Sequence, residues 1–138
     1  MTARPKTPRH RLIGAQLSQL GRRARSEARS TQREVAGVLV GRDGIIQLVP
    51  LRNVSRRRGS FALLKSDIRA AARAARRLLG DLVGTFHSHI VSDARPGPRD
   101  IREAGDGSLM LIYDTIGQEW RLWRIRRGRS YAVRFTVV

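Results

Sequence analysis

The stretch His87-Ser88-His89 constrains this chain more than any other. It closes an apolar run, Leu82-Val83-Gly84-Thr85-Phe86, bounded by Gly80 on its far side. Such a run reads as a strand. Residues two apart in a strand lie on one face, so both imidazoles leave the strand end in the same direction, as two ligands of one metal would. Eleven residues after His89 stands Asp100, inside Pro96-Gly97-Pro98-Arg99-Asp100. Proline is favoured at the first helical position, where its missing N–H costs nothing. Gly97 is then the N-cap and Asp100 the third helical residue. Two histidines and one carboxylate, with a fourth position left open, is the ligand count of a catalytic zinc site, with bonds of about 2.0–2.2 Å.

Such a site needs a base, and the candidate is Glu34, in Glu34-Val35-Ala36-Gly37-Val38-Leu39-Val40-Gly41. Taken singly, each residue has a bland reading. A glutamate before a strand is usually solvated, and a buried histidine is usually a hydrogen-bonded core residue. The bland readings weaken together, because several positions must coincide. E-x-x-G-x-L-x-G, followed about fifty residues later by H-x-H-x7-G-x-x-D, resembles the JAMM (MPN-type, or JAB) zinc metalloprotease domain in its minimal prokaryotic form. Pro50-Leu51-Arg52-Asn53 after the second strand and Gly80-Asp81-Leu82 before the third also resemble that family. The resemblance runs from about Leu12 to the C-terminus.

That resemblance implies His87, His89 and Asp100 as zinc ligands and Glu34 as general base toward a zinc-activated water. It implies cleavage of the amide bond after the C-terminal tail of a ubiquitin-like or sulfur-carrier protein, by a zinc-dependent isopeptidase or peptidase. Two positions depart from the family pattern: Gly97 stands where the family usually has serine, and Ile90 where it has proline. The missing hydroxyl helps stabilise the oxyanion in the family, and losing one such donor costs about 10²–10³ in rate. As an N-cap, glycine costs only a few tenths of a kcal/mol relative to serine. The departure therefore bears on rate and not on fold. Ser88 and Ser92 are nearby hydroxyls without positional support.

At 138 residues the chain is one domain with one real core. Residues 1–10 are basic, proline-containing and aperiodic, and read as a flexible tail; residues 11–138 form the domain. The chain has no cysteine, so disulfides are excluded. No apolar run reaches the roughly 18 residues of a membrane span, and the N-terminus has no apolar signal region. The default expectation is the cytoplasm. The net charge is +17, carried almost wholly by arginine. Such a field suits an acidic partner, and it implies nonspecific nucleic-acid binding at low salt. The arginines are scattered through every element, which favours a general compositional bias over a built patch.

The pattern of elements predicts an α+β domain. Arg11–Ile13 is a short strand and Ala15–Ala28 a helix. Val35–Gly41 and Ile45–Val54 are strands joined by Asp43-Gly44, a strong hairpin signal. Arg56–Arg58 lie in a basic loop. Ser66 is placed to cap a helix whose inner face is Ile68, Ala71, Ala72, Ala75, Leu78 and Leu79, with Gly80 as its stop. Strands follow at Leu82–His89, Leu109–Tyr113 and Glu119–Arg126, the last with Trp120 and Leu122 on one face and Trp123 and Ile125 on the other. Tyr131, Val133, Phe135 and Val137 alternate as one final half-buried strand. The family's fold would be a curved, mostly antiparallel sheet flanked by helices, layered like a cytidine deaminase. Two rival functions remain: a degenerate, non-catalytic zinc or protein-binding module, favoured only by Gly97, and a basic nucleic-acid binder using Trp120-Arg121-Leu122-Trp123-Arg124.

Overall fold

The computed structural model describes residues 10–138. Apart from His10, the expected tail lies outside the described residues. His10 belongs to the fold, since its carbonyl accepts from the Thr136 N–H at 3.0 Å. The elements in order are β1 (Arg11–Leu12), α1 (Gly14–Ser30), β2 (Ala36–Arg42), β3 (Ile45–Leu51), α2 (Lys65–Arg77), β4 (Asp81–His89), α3 (Pro98–Glu103), β5 (Leu109–Asp114), β6 (Glu119–Arg126), β7 (Arg129–Val133) and β8 (Thr136–Val137). No helix among them is long and apolar enough to cross a membrane.

All eight strands join one sheet in the order β7-β6-β5-β4-β2-β3-β1-β8. The pairings β2–β3, β2–β4, β5–β6 and β6–β7 are antiparallel, while β4–β5 and the two short pairings of β1 are parallel. β7 and β8 sit at opposite ends of this order, yet only Arg134 and Phe135 separate them in sequence. Three residue steps span at most about 10 Å. The sheet must therefore curl until its two edges nearly meet. The single alternating strand expected at Tyr131–Val137 is instead these two short strands, one on each edge. Tyr131 and Val137 are accordingly exposed.

Two apolar layers hold the sheet. Leu17, Leu20 and Ala24 of α1 pack on Leu39, Phe86, Leu111 and Leu122 inside the curl. Met110, Ile112, Trp123 and Ile125 pack outside it, against Ala94 and the Ile101 side of α3. β6 is thus covered on both faces, as its two-sided apolar pattern predicts. β4 and β5 approach so closely that a Cβ on Gly84 would stand 1.9 Å from the Leu109 carbonyl oxygen. Glycine is required there by contact and not by dihedral angle. The two-residue turns of the β2–β3 and β6–β7 hairpins use paired positive φ values, 52° and 78° at Asp43-Gly44 and 50° and 72° at Arg127-Gly128, the geometry that matches strand twist.

α2 departs most from expectation. Its N-cap is Leu64, with no side-chain cap, so Ser66 is inside the helix. Its left-handed residue is Leu79, at φ 60°, rather than Gly80. Gly80 is buried instead, its Cβ position 3.1 Å from the Val40 side chain and 3.3 Å from the Gly41 carbonyl oxygen. The helix ends one residue early because that contact needs the small residue. Leu78 and Leu79 then point outward, 69% and 79% exposed.

Candidate metal centre

His87 and His89 end β4 on the face that carries Ile112 across the parallel ladder. Ser88 lies on the other face. Its hydroxyl accepts from the Val35 N–H at 2.8 Å, and its own N–H donates to the Val35 carbonyl at 2.9 Å. Ser88 is therefore a structural tie and no part of the site. That tie extends the β2–β4 register beyond the last ladder pair, Ala36 with His87. Glu34 precedes Val35 in this stretch, outside the strand itself. Glu34 and His89 act on each other electrostatically, and both line one small cleft.

Asp100 arrives from α3. Gly97 is the N-cap, at φ −77° and ψ 169°, and Pro98 opens the helix. The Gly97 N–H donates to Asp100 Oδ2 at 2.8 Å, half of a capping box. The carboxylate is thereby aimed at the strand end. His87 Nε2 and His89 Nε2 are 3.0 Å apart, and each is 3.3 Å from Asp100 Oδ2. Bonds of about 2.0–2.1 Å at the tetrahedral angle put neighbouring ligand atoms about 3.3 Å apart. The three atoms thus form one face of a tetrahedron of zinc size, which is the fit expected of a metal-binding cluster.

The tautomers agree with that fit. His89 Nδ1–H donates to the Asp93 carbonyl at 2.6 Å, leaving the Nε2 lone pair for a metal, the usual second contact of a ligating histidine. His87 is fully buried, and its Nδ1 has no hydrogen-bond partner among the described residues. On the face of the ring, Phe61 stacks on the His87 imidazole with centroids 4.4 Å apart and planes 22° from parallel.

The electrostatics separate the groups by role. Burial pushes the Glu34 pKa from the ordinary 4.5 up to about 7, with His89 and Arg99 opposing the rise and Asp100 adding to it. Burial also holds His87 below the usual imidazole value, despite Asp100. On His89, burial is outweighed by Asp100, the Asp93 carbonyl and Glu34, so its pKa lies above the usual value. Asp100 is buried too, but the two imidazoles and the Gly97 N–H hold it well below the carboxylate range. One carboxyl is poised to exchange a proton near neutrality, and the other stays an anion.

Two clefts meet at Asp100. The smaller, about 180 Å³, is lined by Glu34, His89, Ser92, Arg99 and Phe61. The larger, about 1170 Å³, runs from Asp100 over Thr85 and Met110, between Ile68 of α2 and the Gly105–Ser108 turn. Of the two serines considered as substitutes for the missing hydroxyl, Ser92 opens onto the site. Sequence reasoning missed Phe61 and the Asp93 carbonyl, whose places depend on loop paths with no periodicity to reveal them. Arg99 was quoted in the helix start but given no role.

A family model for prokaryotic homologues of the JAB domain matches residues 17–126. No curated protein matches the sequence. Among solved structures, the chain is similar to a Desulfitobacterium hafniense protein, with 22% identity and TM-score 0.77, covering 93% of this chain and 92% of that one. It is similar to a JAB1/MPN domain protein from Archaeoglobus fulgidus, with 19% identity and TM-score 0.59, covering 94% and 98%. A structure described as JAMM, a metalloprotease-like zinc site in the proteasome and signalosome, aligns with 18% identity and TM-score 0.55, covering 94% and 97%. At these identities the likeness is one of fold.

Proposed function

This chain belongs to the prokaryotic homologues of the JAB domain, and on that premise we propose that it is a zinc-dependent peptidase or isopeptidase. The substrate of this reading is the amide bond after the C-terminal tail of a ubiquitin-like or sulfur-carrier protein. The single observation that carries it is the zinc-sized triangle of His87 Nε2, His89 Nε2 and Asp100 Oδ2, with Glu34 lining the same small cleft as His89.

Zinc, when bound, supplies a Lewis acid and makes water acidic enough to attack an amide near neutral pH. His87, His89 and Asp100 would hold it. Glu34 takes the proton of the attacking water and returns it to the leaving amine. Burial disfavours the charged form of this carboxyl, which suits a group that takes up a proton and passes it on. His89, and to a lesser degree Arg99 on the cleft wall, oppose the rise in the Glu34 pKa. Gly97 offers no hydroxyl, and its N–H is committed to Asp100. Ser60 and Ser92 are then the side-chain hydroxyls that line this cleft and can turn toward a developing oxyanion.

An extended tail fits the larger cleft, which leads straight to Asp100. Capture by strand addition to β4 does not fit, because β2 and β5 occupy both of its edges. The +17 charge favours an acidic modifier. Metal analysis together with cleavage of a ubiquitin-like conjugate tests the reading: one zinc per chain and chelator-sensitive release of the tail are expected. Gly97 favours a second reading, a zinc-binding module that does not cleave. Full zinc occupancy with no cleavage of any such conjugate would establish it over the first.

A further inference from the structure

The β3–α2 connection, residues 52–64, contributes no ligand atom to the triad, yet it touches the site at two points. Phe61 stacks on His87. Asn53 reaches Glu34: its Nδ2 donates to the Glu34 carbonyl at 2.9 Å and to the Ser60 carbonyl at 3.0 Å. Its Oδ1 accepts from the Ser55 and Ala62 N–H groups, both at 3.0 Å. Each amide hydrogen and each lone-pair direction of this side chain is thus used. Two donors meet two carbonyls and one acceptor meets two N–H groups, so the pattern leaves one orientation of the amide.

The consequence is geometric. Glu34 lies outside any regular element, in the stretch between α1 and β2. Its carbonyl is held by the Asn53 amide, while the next residue, Val35, is held by Ser88. The Ala62 N–H held by the same amide is one residue from Phe61, whose ring covers the buried face of His87. Further ties bind the same loop to the same stretch: Gly59 N–H to the Gln32 carbonyl at 3.2 Å, and Arg33 Nη1 to the Ser55 carbonyl at 3.0 Å. The basic loop is exposed in its arginines but its backbone is pinned.

We propose that Asn53 is a positioning residue for the metal centre: one side-chain amide fixes the main chain of the base, Glu34, and the ring that orients the metal ligand His87. The inference rests on the zinc reading of the triad. A ligating histidine usually also has a hydrogen-bond acceptor on its second nitrogen. His87 Nδ1 has none among the described residues, so the stack of Phe61 on the imidazole face is the contact that holds the ring plane, and Asn53 ties the backbone next to Phe61.

A residue that merely closed a loop would not change metal affinity, because the ligands are on β4 and α3. The test is the Zn²⁺ dissociation constant, by competition with a chromophoric chelator, beside thermal melting. Asn53→Ala and Phe61→Leu should each weaken Zn²⁺ binding about tenfold, the lower end for loss of a ligand's supporting contact. The double variant should weaken it no further, since both act through one ring. Arg57→Ala, in the exposed part of the loop, should leave it within about twofold of wild type. Folded Asn53→Ala with wild-type affinity overturns the proposal, and so does additivity in the double variant. If Asn53→Ala does not fold, Phe61→Leu alone decides, and an unchanged affinity there has the same force. If wild type itself binds no Zn²⁺, the metal reading fails instead. The staple is then read in metal-free protein by amide exchange at Ser88: at least tenfold faster in Asn53→Ala is expected, and unchanged exchange overturns it.

Discussion

Glu34→Gln separates the chemistry of the base from its structural cost. Glutamine is nearly isosteric, cannot take a proton from water, and does not titrate. In the metal-free protein the Glu34 carboxyl has a pKa of about 7, against an ordinary value of 4.5, chiefly because it is buried. The folded state therefore keeps its proton over a range where the unfolded state has lost it. Stability falls as pH rises through that range. It is fully present below about pH 4.5 and lost by about pH 7–8. The gap corresponds to about 3 kcal/mol, at about 1.4 kcal/mol per pK unit. For a chain of this size, 1 kcal/mol moves Tm by about 3–4 °C. Metal-free Glu34→Gln should thus melt within a degree or two of wild type at pH 4 and about 10 °C above it at pH 8. Differential scanning calorimetry of the chelated proteins across that range measures the difference. The same variant should bind zinc and hydrolyse nothing. A Tm difference that is flat from pH 4 to pH 8 would refute a buried, proton-retaining Glu34. Equal turnover by variant and wild type would remove it as the base.

Further outcomes are expected. His87→Ala and Asp100→Ala should abolish zinc binding, and full occupancy in His87→Ala by metal analysis would reject the ligand assignment. Gly97→Ser should fold normally, because φ is −77° and the new Cβ would meet only Asp100 Oδ2 at 3.6 Å. Its cleavage rate should rise tenfold or more if a hydroxyl here reaches the oxyanion, as steady-state kinetics would show. Gly84→Ala should cost more than about 4 kcal/mol, seen as loss of soluble protein or a collapse of Tm, since the β4–β5 contact leaves no space for a Cβ. Leu79→Gly should stabilise by about 1 kcal/mol in chemical denaturation, because an exposed leucine at φ 60° is strained and buries little.

The parts of the site that local rules control were legible in the sequence. His87 and His89 share a face because strands alternate, and Asp100 falls at the third helical position because Pro98 and Gly97 set the helix start. Glu34 was singled out only through the family spacing; that it lines one cleft with His89 needs the folded chain. α2 was misread at both ends for one reason. Capping rules treat a helix as isolated, and here the fit of Gly80 against Val40 and Gly41 decided where it stopped. The final strand was misread because alternation reports a face and not a neighbour. Nothing in Tyr131–Val137 says that the chain leaves β6 and crosses to β1.

The support of the site was the least legible part, and the reason is physical. Periodicity records what a residue buries in its own element. Asn53 acts through hydrogen bonds to main-chain groups, and main-chain groups leave no mark in the sequence at the positions that supply them. Glu34, Ser55, Ser60 and Ala62 could each be another residue and still offer the same N–H or carbonyl. The demand is concentrated on the single amide that meets all four, and that amide lies outside every helix and strand. The candidate ligands and the candidate base are therefore readable as a pattern of residue types. The parts that hold them at bonding distance are readable only once the loop path is known, and there a substitution as mild as Asn53→Asp would set a carboxylate against two carbonyl oxygens.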